Sequence, residues 1–203
     1  MTIQPVIITC PGREAMLGQT LANWERTDFG HVQPMIQMDS NTCERRQERQ
    51  VNNSLSALKR ACGGPADFIL FLEDDLEFNL HLYHNLCRWK PAQRGTLFSF
   101  GSLYNPTIGE QLVCDRLNYF IANPNCAYGS QAYLLSRAFA GYCIAHWGEI
   151  EGMQDICITR MAARLGDLYY HRPSLVQHVG IVSTWGGAVH TAPDFSKEFK
   201  ASA

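Results

Sequence analysis

The chain has 203 residues, 46% of them hydrophobic and 18% charged, with 17 Lys and Arg against 19 Asp and Glu for a formal net charge of −2. That length suits one ordinary domain with a sizeable core, and so low a charge density without polar tracts excludes a disordered chain and a coiled coil. A total this close to neutral provides no general attraction to nucleic acid or to an anionic membrane.

In chain order, Val6-Ile-Ile-Thr9 predicts a short strand that stops at Cys10-Pro-Gly-Arg13, a loop of residues unable to continue it. Met16, Leu17, Thr20, Leu21 and Trp24 then recur at helical spacing over 14–24, and a second strand over 32–38 ends in Asp39-Ser40. A long helix over 42–61 carries an apolar stripe of Val51, Leu55 and Leu58 between arginine-rich faces, and Gly63-Gly-Pro65 ends it. The unbroken apolar run Phe68-Ile-Leu-Phe-Leu72 reads as a central strand covered on both faces, and it runs straight into Glu73-Asp-Asp75. An amphipathic segment over 80–89, a strand over 96–100 and a turn-rich span over 101–109 follow.

Later signals are weaker. They predict a strand over 118–122, a short apolar piece over 132–135, a helix from a Ser136 cap to Trp147, a helix over 152–165 with Ile156, Met161 and Leu165 inside, and a strand over 174–179. The alternation implies an α/β domain over 1–192, with a mostly parallel central sheet flanked by helices, and a loosely held tail over 193–203. The eight cysteines (Cys10, Cys43, Cys62, Cys87, Cys114, Cys126, Cys143 and Cys157) lie at irregular intervals with no C-x-x-C pair, so they read as reduced core thiols. With no basic start leading into a long apolar stretch, and no run long enough to span a bilayer, a cytoplasmic chain is expected.

In an open α/β sheet, ligands lie beyond the carboxyl ends of the strands. Three such ends here carry polar groups: Thr9 to Arg13, Asp39-Ser40, and Glu73-Asp74-Asp75. Carboxylates at the end of a buried strand are costly unless something positive offsets their repulsion, which a hard divalent cation with oxygen ligands does. The alternative is a solvated acidic turn capping a following helix.

Asp67-Phe-Ile-Leu-Phe-Leu-Glu-Asp-Asp-Leu-Glu-Phe-Asn79 resembles the strand and D-x-D-type element of GT-A glycosyltransferases, and Arg172-Pro-Ser-Leu-Val-Gln-His-Val-Gly180 resembles a late segment of several of them. In motifs the chain is most similar to the branching N-acetylglucosaminyltransferases of N-glycan mannose, through these two elements, the first strand and Gly129-Ser-Gln-Ala-Tyr133. The resemblance implies a GT-A fold and a divalent ion, Mn²⁺ or Mg²⁺, held by Asp75 and His178. It places Glu73 and Asp74 near the donor's ribose, sugar or metal-bound water. In Glu149-Ile-Glu-Gly-Met-Gln-Asp155, the pair Gln154-Asp155 resembles the x-E-D element of inverting members, which implies Asp155 as catalytic base with Glu151 and Glu149 as competitors. Asp155 could instead simply favour the positive end of its helix.

Arg13, Arg49 and Asn53 could reach a donor's phosphates and nucleoside, Asp39 its base or ribose, and Thr9 stands at the same strand end. Arg45 and Arg46 read as surface charge, and Trp185-Gly-Gly187 as either a lid carrying an aromatic ring or a packed turn. The function implied is metal-dependent, inverting transfer of a sugar from a nucleotide-sugar, expected to be a UDP-sugar, to an acceptor hydroxyl by a hexosyl- or N-acetylhexosaminyltransferase, the acceptor being a glycan, small molecule, protein or modified DNA. The alternatives are a nucleotide-sugar binding module without turnover and a metal-dependent nucleotidyltransferase.

Overall fold

The computed structural model describes residues 1–180 and 190–202. In chain order the elements are β1 (Ile3–Thr9), α1 (Glu14–Trp24), β2 (Met35–Met38), α2 (Arg46–Cys62), β3 (Phe68–Leu72), β4 (Leu76–Phe78), α3 (Leu82–Arg88), β5 (Phe100–Ser102), α4 (Ile108–Gln111), β6 (Leu112–Asp115), β7 (Tyr119–Ala122), β8 (Ala132–Ser136), α5 (Arg137–His146), α6 (Gln154–Leu165), β9 (Leu168–His171) and β10 (Val176–His178). Eight strands form one sheet in the order β2-β1-β3-β8-β5-β9-β7-β6, and β10 pairs with β4 in a separate ribbon.

The strands alternate their side chains between two cores, as the period of two requires. Along β3, Ile69 and Phe71 enter the core under α2, α5 and α6, while Phe68, Leu70 and Leu72 enter the one shared with α1 and α3. Neighbouring β1 does the same with Val6 and Ile8 against Ile3 and Ile7. Helix α2 meets the sheet through Leu58, buried as expected, and the small residues Ser54, Ala57 and Ala61, with the expected Val51 and Leu55 only partly buried. In α6 the buried stripe is Cys157, Ile158, Met161 and Ala162. Leu165, expected inside, continues that stripe at i+4 from Met161 but is 48% exposed, because it is the last residue of the helix.

The α/β layering matches expectation, but the sheet is mixed. Pairs β1–β2, β1–β3 and β5–β9 are parallel, whereas β3–β8, β5–β8, β7–β9 and β6–β7 are antiparallel. Apolar runs reveal burial but not strand direction, and only the first three strands, linked through helices, are forced parallel. The strand expected over 96–100 begins at Phe100, since Gly95 at φ 59° turns the chain. Gly101 belongs to that strand and not to a turn: a Cβ there would lie 2.2 Å from the Trp89 ring.

The tail is tied down, contrary to expectation. Buried Asn79 donates from Nδ2 to the carbonyls of Ser196 and Phe199, Asn85 donates to Phe199 and accepts from the Ala201 N–H, and Lys197 pairs with Glu77 at 2.6 Å. The cysteines are all free, as expected of reduced thiols, but only Cys143 and Cys157 are buried. No helix among the described residues is long and apolar enough to cross a membrane.

Candidate active site

Because β1, β2 and β3 run parallel, their carboxyl ends share one edge, and Thr9, Asp39 and Glu73 emerge together. Strand β8 runs the other way, with Ala132 opposite Leu72, so Ser130 and Gln131 enter the same edge just before it starts. The ribbon sets His178 opposite Leu76 and so beside Asp75. The result is a cavity of about 750 Å³ whose lining includes Thr9, Arg13, Asp39, Arg49, Asn53, Glu73, Asp74, Asp75, Asp155 and His178. Of the sequence-expected site residues, Glu151 and its fellow competitor Glu149 stand outside it. Glu151 is exposed on the loop before α6, and Glu149 is likewise exposed, paired with His146 and Arg164.

The acidic triplet is not a solvated turn capping a helix. Asp74 and Asp75 are 4% and 6% exposed, and the chain continues into strand β4. Asp74 is held by the Thr9 hydroxyl and by the Arg13 guanidinium, whose Nε donates to Oδ1 and Oδ2 at 2.8 and 2.9 Å. Buried Thr20 accepts from the Leu76 N–H and donates to the Asp74 carbonyl, fixing the backbone beneath.

Arg13 Nη2 also reaches Asp75 Oδ2 at 2.6 Å, and His178 Nε2 lies 3.2 Å from the same oxygen. Burial alone would raise the Asp75 carboxyl, but His178 and Arg13 outweigh it and hold it below the usual range. Burial opposes protonation of His178, yet its bond to Asp75 and the surrounding carboxylates raise it. Glu73 is pushed up by desolvation and then by the Asp75 charge, against a hydrogen bond from Ser130.

Asp155 sits in the first turn of α6, where Oδ2 accepts the Gly129 N–H at 2.9 Å and Oδ1 the Ile156 N–H at 2.9 Å. Gln154 donates to Ser130 at 2.7 Å, linking α6 to Glu73. Asn53 is committed to structure: it donates to the Thr9 carbonyl at 3.1 Å and accepts from Gln37 at 3.1 Å. Asp39 accepts from Asn41, and Arg49 Nε stands 4.0 Å from it. Arg46, read as surface charge, also lines the cavity, whereas Arg45 does not.

Sequence reasoning assigned no role to Ser130, Gln131 or Tyr128, although all three border the cavity. It also missed His190, which stacks on His178 at 5.0 Å and meets the Tyr104 hydroxyl at 2.7 Å. No local pattern announces that pairing across 86 positions. The Trp185-Gly-Gly187 segment, expected as a lid or a packed turn, lies outside the described residues.

For a divalent ion the donor set fits in kind. Asp75 Oδ1 is buried without a hydrogen-bond partner among the described residues, and carboxylate oxygen with imidazole nitrogen suits Mn²⁺ or Mg²⁺. Among the described residues no group of three or more His, Cys, Asp or Glu could hold a metal, so a bound ion would need oxygens from a substrate diphosphate or water.

No protein-family model matches the chain, and no curated protein matches it. Solved structures do. A glycosyltransferase involved in glycosylation of the major capsid of PBCV-1 aligns at a TM-score of 0.55 with 10% identity, over 90% of this chain and 95% of that one. A Drosophila β1,4-galactosyltransferase 7 mutant, in complex with manganese, UDP-Gal and xylobiose, aligns at 0.51 with 13% identity, over 89% and 71%. The chain thus has the fold of GT-A glycosyltransferases.

Proposed function

We propose that the chain is a metal-dependent glycosyltransferase that moves a hexose or N-acetylhexosamine from a nucleotide-sugar, a UDP-sugar in the first instance, to an acceptor hydroxyl with inversion. The observation that carries this reading is the convergence of Asp75, His178 and Asp155 with Arg13, Arg46 and Arg49 on one cavity at the carboxyl edge of the parallel strands. The bound manganese and UDP-Gal of the Drosophila neighbour support the choice of metal and donor. The resemblance in motifs to branching N-acetylglucosaminyltransferases does not fix the donor sugar, so hexose and N-acetylhexosamine both stand.

In this reading Asp75 and His178 hold Mn²⁺ or Mg²⁺, and the arginines receive the phosphates. The ion, when bound, would neutralise charge growing on the diphosphate as the glycosidic bond breaks. Asp39 faces the nucleoside and Glu73 the sugar, while Thr9, Asn53 and Asp74 keep the strand ends and Arg13 in place. Asp155, its carboxylate oriented by the Gly129 N–H, takes the proton of the acceptor hydroxyl.

Calorimetric titration of UDP with and without Mn²⁺, beside an assay of UDP release from UDP-sugars, tests this. Metal-linked binding with UDP release is the expected result. Binding without release would make the chain a binding module, and release of pyrophosphate a nucleotidyltransferase.

A further inference from the structure

Resting on that reading, we propose that Arg13 is a built-in counter-ion of the metal site: it occupies the Asp74–Asp75 carboxylates until a nucleoside diphosphate draws its guanidinium away, so the divalent cation binds together with the diphosphate and not before it.

The guanidinium spans both carboxylates, with Nη2 at 2.6 Å from Asp74 Oδ1 and 2.6 Å from Asp75 Oδ2. Asp75 is closed from the other sides as well. His178 Nε2 stands 3.2 Å from Oδ2, and the Gly180 backbone is so close that a Cβ there would lie 2.6 Å from the same oxygen. Its second oxygen is buried and lacks a hydrogen-bond partner among the described residues. While Arg13 stays, Oδ2 is fully engaged, and an incoming ion has only the buried Oδ1 of this carboxylate to bind.

Charge points the same way. Arg13 already offsets one of the two carboxylates, and a divalent ion added beside it would face a like charge within a few ångström, which is strongly repulsive where water is scarce. A diphosphate relieves that repulsion by offering the guanidinium a planar, bidentate partner as good as the one it leaves. The move is feasible, because the Arg13 side chain is 23% exposed and is rooted in a loop that turns at Gly12, φ 88°.

The test is titration of the full chain with Mn²⁺, following free ion by electron paramagnetic resonance, with and without UDP. Wild type should bind Mn²⁺ weakly alone and at least about tenfold more tightly with UDP, a modest fraction of what one nearby like charge can impose. Arg13→Gln should bind Mn²⁺ at least about tenfold more tightly than wild type without UDP, and Mn²⁺ alone should restore the melting temperature that the substitution lowers. If Arg13→Gln does not fold, Arg13→Lys serves instead. One ammonium cannot span both carboxylates, so that variant should gain affinity by a smaller factor. Unchanged affinity without UDP in the folded variant, while wild type binds Mn²⁺ with UDP, overturns the role of Arg13 and leaves the metal-dependent reading intact. No Mn²⁺ binding in any arm overturns both.

Discussion

Both oxygens of Asp155 accept backbone N–H groups, one from its own helix and one from Gly129 in the segment leading into β8. The first bond stays within the first turn of α6, but the second comes from a separate segment and sets the carboxylate's direction. Asp155→Asn keeps the shape and cannot take a proton. It should bind UDP within a few-fold of wild type yet lose transfer by roughly 10²- to 10⁴-fold, measured under single-turnover conditions. Glu151→Gln, outside the cavity, should transfer at the wild-type rate. A reversal of those two results would move the base to Glu151. At this scale the strand-end acids were legible because three carboxylates after a buried apolar run are chemically conspicuous. Ser130 and Gln131 entered only as part of a resembling motif and without a role, since a neutral residue's part is set by the strand pairing that places it beside Glu73.

At the scale of elements, α1 and β3 were legible to the residue, because long apolar runs and helical spacing report burial directly, whereas β1 was legible only from Val6, since Gln4 and Pro5 interrupt its apolar run. Short strands were not: β4 is hidden in an acidic stretch, and β9 was unmarked. Where β5 passes Trp89 the packing demands glycine, so Gly101→Ala should lower unfolding free energy by about 1–3 kcal/mol in urea titrations, the usual effect of overpacking. Wild-type stability in that variant would contradict the packing described.

The end of β9 also carries a pH dependence. His171 is fully buried with Nδ1 at 2.7 Å from the Pro173 carbonyl, and burial pushes its ring down to about 4. A folded-state value below that of the unfolded chain means the unfolded state binds the extra proton between about pH 4 and 6.5. This contribution is therefore complete above pH 6.5 and declines as pH falls, by an amount on the order of 3 kcal/mol. His171→Asn should remove that slope in unfolding titrations run from pH 7 to 4. The same slope in the variant would assign it to other groups.

Over the whole molecule, two apolar cores, one on each face of a mixed sheet, leave the carboxyl edge of β1, β2 and β3 free for polar chemistry. The last residues complete the face beside α3, because Asn79 and Asn85 are buried and depend on tail backbone groups for partners. This docking was not legible, since a polar tail looks the same whether solvated or captured by buried amides. Deleting residues 195–203 should cost several kcal/mol, at about 1–3 kcal/mol for each buried polar group left unpaired, read as a lower urea midpoint. An unchanged midpoint would show that the tail contributes nothing.

The central claim is that a nucleotide-sugar and a divalent ion meet at the acidic edge. Its most direct test is a crystal structure with UDP and Mn²⁺, using the anomalous signal of manganese. The account expects the anomalous peak within coordination distance of the Asp75 carboxylate, UDP between Asp39 and Arg13, and Asp155 facing it from across the cavity. A peak away from Asp75, or UDP seated outside this cavity, would contradict it.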